Sequence, residues 1–192
     1  MEIELADYEA HMSAPGVFQL QTLNTIMSEQ CRYNKKVVTV LGAAGGNGFA
    51  HLGNAETVYA VDINGKYLKK CAERFPLLKD KLKLVCCDLS RAELPPCGLL
   101  ICNLIIEYLG LDSFVSLLKR LDFEIASCVI QKSCGSSFVS PSAAAEKLAT
   151  LNSCHNDIDE NELIERTGLK LIFRKQYELP NNKMFLRLDF TR

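Results

Sequence analysis

The residues Gly42-Ala43-Ala44-Gly45-Gly46-Asn47-Gly48 follow directly on an apolar, β-branched run, Val37-Val38-Thr39-Val40-Leu41. Glycines let a chain turn sharply and bring its N–H groups close to a ligand, and a helix beginning just beyond favours negative charge there. A second run, Val58-Tyr59-Ala60-Val61, is closed by Asp62, 20 residues after Gly42. A carboxylate at that spacing suits the two hydroxyls of a ribose laid over the first run. Taken singly, the turn reads as a plain connection, and Asp62 as a solvated strand end or a cap partner for a helix from Gly65. Together they point to a nucleoside-containing ligand without naming it.

Those residues need a scaffold, and two periodicities alternate to supply one. Val17, Leu20, Leu23, Ile26 and Met27 recur at helical spacing within residues 17–31. Short apolar runs at 37–41, 58–61, 82–87, 99–102 and 125–131 read as buried strands. Between them the pattern predicts helices over about 46–52, over 65–75, and along Phe114, Leu117, Leu118 and Leu121, the last with Asp112 as N-cap. Further on, Ser140 and Pro141 open a predicted helix over 143–151, and Asp159 with Glu162 marks another that ends at Gly168. Residues 169–177 and 184–190 then form two strands split by Pro180-Asn181-Asn182, a hairpin without a helix. Five β-α units and a terminal hairpin make an α/β open sheet, mostly parallel, with one antiparallel strand at its end. Ligands in such sheets bind beyond the carboxyl ends of the strands, where strand order reverses.

Composition narrows the classes. The chain has 192 residues, 48% hydrophobic and 23% charged, which suits one globular domain. Its 22 basic and 23 acidic residues leave a net charge of −1, against a protein built to coat nucleic acid or an anionic membrane. The opening Met1-Glu2-Ile3-Glu4 is acidic where a secretory signal is basic, and no apolar stretch is long enough to span a bilayer. Nine cysteines with no CxxC pair, several of them inside apolar runs, read as reduced packing residues in a cytoplasmic protein.

With these residues on the page, the sequence resembles the class I, Rossmann-like S-adenosylmethionine-dependent methyltransferases, over most of its length from about Gly16. The likeness is carried by residues 38–48, by Val58-Tyr59-Ala60-Val61-Asp62-Ile63, by Cys87-Asp88-Leu89 and by residues 100–109. It implies a three-layer sandwich around a mostly parallel seven-stranded sheet with a C-terminal antiparallel hairpin strand. It implies that residues 1–33 form an N-terminal helical segment or lid, 34–135 a cofactor-binding half, and 136–192 C-terminal helices and hairpin. By resemblance, Gly42, Ala43, Ala44 and Gly46 cradle the amino-acid part of S-adenosylmethionine. Asp62 holds the ribose, Ile63 flanks the adenine, Asp88 and Leu89 read the adenine edge, and Asn103 lies beside the reacting methyl group. Two positions depart from the family pattern: Val40 stands where an acid is common, and Ala44 where glycine is usual. An alanine methyl at that turn requires a negative φ.

A dinucleotide reading lacks its third glycine, since position 51 is His51, and no Tyr is followed four residues later by Lys. Glu107 and Tyr108, just beyond the fourth strand, are candidate catalytic residues, Glu107 as general base or as a recognition carboxylate. The competing reading is that Glu107 merely starts a helix and faces water. Tyr8 and His11 are candidates to line or close the pocket, although a lone histidine is more often structural, as His51 is read to be. Cys154-His155 with Asp157 and Asp159 matches no common zinc framework, so no metal is expected. The basic stretch from Lys66 to Lys83 lacks interleaved aromatic platforms and reads as a solvated face. The expectation is methyl transfer from S-adenosylmethionine to a small-molecule substrate, with no nucleic-acid or membrane partner. The alternatives are an inactive S-adenosylmethionine-binding module, a sensor or scaffold, and an NAD(P)-dependent oxidoreductase. All three depend on the corner between the glycine turn and Asp62 being open, with the Asp62 carboxylate facing it.

Overall fold

The computed structural model describes residues 3–133, 155–180 and 182–192. Seven strands form one sheet: β1 (Val37–Leu41), β2 (Thr57–Asp62), β3 (Leu82–Cys86), β4 (Cys97–Asn103), β5 (Phe123–Ser133), β6 (Lys170–Leu179) and β7 (Lys183–Thr191). Their order is β3-β2-β1-β4-β5-β7-β6. The first five pair in parallel, and β7 runs antiparallel to both of its neighbours, β5 and β6. Strand order therefore reverses between β1 and β4, whose register sets Leu41 opposite Cys102.

Parallel strands must be covered on both faces, and the alternation within each strand divides the covering. Val38, Val40, Val58, Ala60, Leu99 and Ile101 point to the side of α3 (Gly65–Arg74). Leu41, Val61, Leu100, Cys102, Cys128 and Leu188 point to the side of α5 (Leu111–Arg120) and α6 (Glu160–Thr167). Phe114 of α5 is fully buried there, and its truncation to alanine is expected to cost about 3–5 kcal/mol. Two N-terminal helices, α1 (Leu5–Ser13) and α2 (Gln19–Gln30), bring Met12, Leu23 and Ile26 against Val129 and Phe185. They thus lie over strands β5 and β7.

Three local expectations are corrected. The connection from β1 to β2 holds no α-helix, only a 3-10 turn over Phe49–Leu52, because Gly46 (φ +81°) and Gly48 (φ +84°) occupy the stretch where a first helical turn would form. Gly110 (φ +74°), not Asp112, takes the cap position of α5; Asp112 falls in the first turn and pairs with Arg166. Ala44 has φ +45°, not the negative value its methyl calls for. Asp159 does cap α6, accepting the Glu162 N–H at 3.0 Å, and Gly168 (φ +63°) ends it. The helix expected over 143–151, with Ser140, Pro141 and Cys154, lies outside the described residues. Among the described residues the seven cysteines are free thiols, and no helix is long and apolar enough to cross a membrane.

Candidate functional site

The turn after β1 is held by its own backbone and by Asp62. The Ala43 N–H donates to the Val61 carbonyl at 3.0 Å and the Gly46 N–H to the Ala43 carbonyl at 2.8 Å. The Ala44 N–H donates to Asp62 Oδ2 and the Asn64 N–H to Asp62 Oδ1, each at 2.8 Å. The carboxylate, 9% exposed, therefore faces the turn and ties it to the end of β2. These bonds also account for the left-handed backbone at Ala44, because they aim its N–H at the carboxylate. Gly46 is required for a different reason: a Cβ there would stand 2.5 Å from Cys71 Sγ and 2.8 Å from the Phe75 ring.

On the other side of the reversal, Asn103 closes β4 and Leu104 follows with φ +54°. Gly42, Ala43, Ala44, Asn103 and Leu104 line one small cavity with Tyr8 and Glu9 of α1, and its volume is about 60 Å³. Pockets that enclose a drug-sized ligand run to about 300–1,000 Å³, and this one has room for about two waters. Tyr8 and Glu9 of α1 and Leu20, Leu23 and Met27 of α2 wall it in, and α1 is tied down across it. Glu9 forms a two-pronged ion pair with Arg74 of α3, its Oε2 accepting from Nη2 at 2.8 Å, and Arg74 also donates to the Gly45 carbonyl at 3.3 Å. The Tyr67 hydroxyl of α3 donates to the Ile3 carbonyl. Tyr8 is half-buried; burial, and then the nearby Tyr67, Asp62, Glu9 and Glu107, push its phenol well above the usual range. The corner beside the turn is thus largely closed by side chains of the two N-terminal helices, while Asp62 does face it.

Glu107, in the short helix α4 (Ile106–Leu109), is 1% exposed and does not face water. Its Oε1 accepts the Gln131 backbone N–H at 2.7 Å, while its Oε2 has no hydrogen-bond partner among the described residues. Burial pushes its carboxyl up to about 7. Tyr108, beside it, is 37% exposed. The adenine-side candidates lie further out. Ile63 is exposed, Asp88 accepts the Ser90 N–H at 2.8 Å, and Leu89 is buried in the core on the α5 side. His11 is buried on α1, its imidazole held below the usual range by burial and by Lys183. Among the described residues no cluster of His, Cys, Asp or Glu could hold a metal ion.

Sequence reasoning missed the polar groups buried behind this site. Gln30, Ser127, Asp189 and Arg187 are all at most 3% exposed and bonded to one another or to a common partner. One signal was legible: Arg187 and Asp189 stand two apart in the apolar run Met184-Phe185-Leu186-Arg187-Leu188-Asp189-Phe190, so both face the side opposite Leu186 and Leu188.

No family model and no curated protein matches this sequence. The likeness to known proteins is in the fold. Magnesium protoporphyrin IX methyltransferase from Synechocystis PCC 6803, with bound SAH, superposes with a TM-score of 0.68 at 12% identity, over 100% of this chain and 89% of that one. The methyltransferase domain of bacterial Hen1 gives 0.64 at 16% identity, over 90% of this chain and 98% of that one. Trm5 in complex with tRNALeu gives 0.58 at 15% identity, over 90% of this chain but only 45% of that one. The chain has the class I, Rossmann-like methyltransferase fold.

Proposed function

We propose that this protein binds S-adenosylmethionine at the turn after β1 and transfers its methyl group to a small-molecule acceptor. The observation that carries this reading is the meeting, where strand order reverses, of the Gly42–Gly46 turn, Asn103 and an Asp62 carboxylate aimed at the turn. Neighbours of the same fold have been crystallised with SAM or SAH bound. The residues fit the group on two counts. Gly42 and Gly46 hold the left-handed backbone conformations that a tight turn around a ligand needs, and a carboxylate has about four acceptor positions, of which Ala44 and Asn64 take two. They fit on one condition: a cavity of about 60 Å³ admits the cofactor only after α1 has moved aside, breaking the Glu9–Arg74 pair.

When bound, the sulfonium donor supplies an activated methyl carbon, so the chain has to align the acceptor, exclude water and handle a proton. Gly42, Ala43, Ala44 and Gly46 would hold the amino-acid part, Asp62 the ribose, Ile63, Asp88 and Leu89 the adenine. Glu107 Oε2 is the group suited to take a proton from the acceptor, since a carboxyl near 7 is divided between its two forms at neutral pH. Tyr108, Tyr8 and His11 would line the acceptor side. A small acceptor is supported by the basic stretch of α3, where Lys70 pairs with Glu73 and Arg74 with Glu9 in place of an open cationic track.

A second reading, a module of this fold that does not turn over, is favoured by the narrow cavity and by the two bonds already made to Asp62. Calorimetric titration with S-adenosylmethionine, S-adenosylhomocysteine, NAD and NADP separates the readings. Saturable binding of the first two, with slow conversion of one to the other when acceptors are added, supports methyl transfer. Binding without conversion supports the module. Binding of the nicotinamides alone overturns both.

A further inference from the structure

Asn103 does not stand alone at the end of β4. Its side-chain amide and that of Gln30, the last residue of α2, are paired face to face: Gln30 Nε2 donates to Asn103 Oδ1 at 2.8 Å and Asn103 Nδ2 donates to Gln30 Oε1 at 3.1 Å. An isolated amide pair of this kind satisfies itself equally well with both groups flipped. Here the sense is set from behind. Gln30 Nε2 also donates to Ser127 Oγ at 2.8 Å, and the Ser127 hydroxyl donates to Asp189 Oδ1. A carboxylate only accepts, so the Ser127 proton is committed to Asp189, and the serine oxygen is left able only to accept from Gln30. Asp189 is in turn immobilised by Arg187, which donates to Oδ1 from Nε at 2.9 Å and to Oδ2 from Nη2, and by the Tyr33 hydroxyl at 2.8 Å. Gln30, Ser127 and Asp189 are all 0% exposed, so no water competes for these bonds.

We propose that Gln30 is a positioning residue for the ligand bound at this site: through the Ser127–Asp189–Arg187 chain it fixes which atom of the Asn103 amide is donor and which acceptor. This rests on the cofactor reading above. One N–H and one carbonyl lone pair of Asn103 remain for a ligand, and their directions are determined by an ion pair on β7, three hydrogen bonds away. Removing the relay leaves Asn103 present but free to flip, so part of the ligand's binding is lost to ordering that amide anew.

The test is calorimetric titration of the full chain with S-adenosylhomocysteine, well below the melting temperature, for wild type, Gln30→Met, Ser127→Ala and the double variant. The unliganded Asn103 side-chain amide is followed alongside by ¹⁵N NMR, identified by its loss in Asn103→Ala. The expected result is a loss of about tenfold in affinity for Gln30→Met and about threefold for Ser127→Ala. The double variant should be no weaker than Gln30→Met alone, because a relay broken at one link is not broken further at the next. In the NMR spectrum the Asn103 side-chain amide should be sharp and protected from exchange with solvent in wild type, and in Gln30→Met it should shift toward the position of a mobile amide and exchange faster with solvent. A merely structural glutamine lowers the melting temperature without moving the affinity of the folded chain. Affinity within twofold of wild type in Gln30→Met, or losses that add in the double variant, overturns the proposal. Should Gln30→Met fail to fold, Ser127→Ala carries the same decision, since unchanged affinity and unchanged amide exchange overturn it. Wild type that holds the Asn103 amide rigid yet takes no S-adenosylhomocysteine overturns the cofactor reading itself, and the positioning role with it.

Discussion

Asp62 serves the fold before it serves any ligand. Its two oxygens hold two backbone N–H groups in a nearly water-free corner, and charge-assisted bonds of this kind contribute about 1.5–3 kcal/mol each. Asp62→Ala is therefore expected to lower the melting temperature of the unliganded chain as well as to abolish S-adenosylhomocysteine binding. A variant that kept its stability and lost only binding would show that the two bonds matter little. Ala44 presents the opposite case. A left-handed backbone costs an L-residue about 1–2 kcal/mol, glycine returns part of that as chain entropy, and Ala44→Gly is expected to stabilise by about 0.5–1 kcal/mol in denaturant unfolding. Glu107 sets a pH dependence. Its carboxyl lies at about 7 in the folded chain against 4.5 when unfolded, so the folded state favours the protonated form. That contribution is full below about pH 4.5, is lost as pH rises through 7, and amounts to about 3 kcal/mol. Burial is its main cause, with Asp157 adding to it and Lys132 opposing. The stability of Glu107→Gln, measured from pH 5 to 8 against wild type, should lack this decline, and parallel curves would refute the assignment.

At the scale of elements, most of the architecture was legible, because strands buried on both faces read as unbroken apolar runs and only their ends move by one or two residues. What was not legible follows from local competition. Four glycines in seven residues suggested a turn followed by a helix, but at positive φ Gly46 and Gly48 consume the helix that would have followed. The grip of α1 on the glycine turn was not legible, since it is made by Glu9 and Arg74, 65 residues apart. That grip gives an expectation of its own. If α1 must part from α3 to admit a ligand, Glu9→Gln should raise the association rate of S-adenosylhomocysteine in stopped flow by about two- to fivefold, the range an exposed ion pair can supply. An unchanged rate would mean that the ligand enters without passing the Glu9–Arg74 pair.

At the scale of the whole molecule, the candidate site is an assembly of distant pieces. Its glycine turn lies after β1, Asp62 at the end of β2, Asn103 at the end of β4, the residues over it on α1, and the ion pair behind it on β7. Separations such as Tyr33 to Asp189, 156 residues apart, explain why the network behind Asn103 was invisible to any local pattern. The insertion of β7 between β5 and β6 has a temporal consequence. A nascent chain emerging from the ribosome can lay down β1 to β5 in order, but β6 has no partner until β7 has emerged, because β7 alone joins it to β5. Until that moment the Asn103 amide lacks its distant anchor on Asp189, so its orientation is set with β7, as a single late event rather than by degrees.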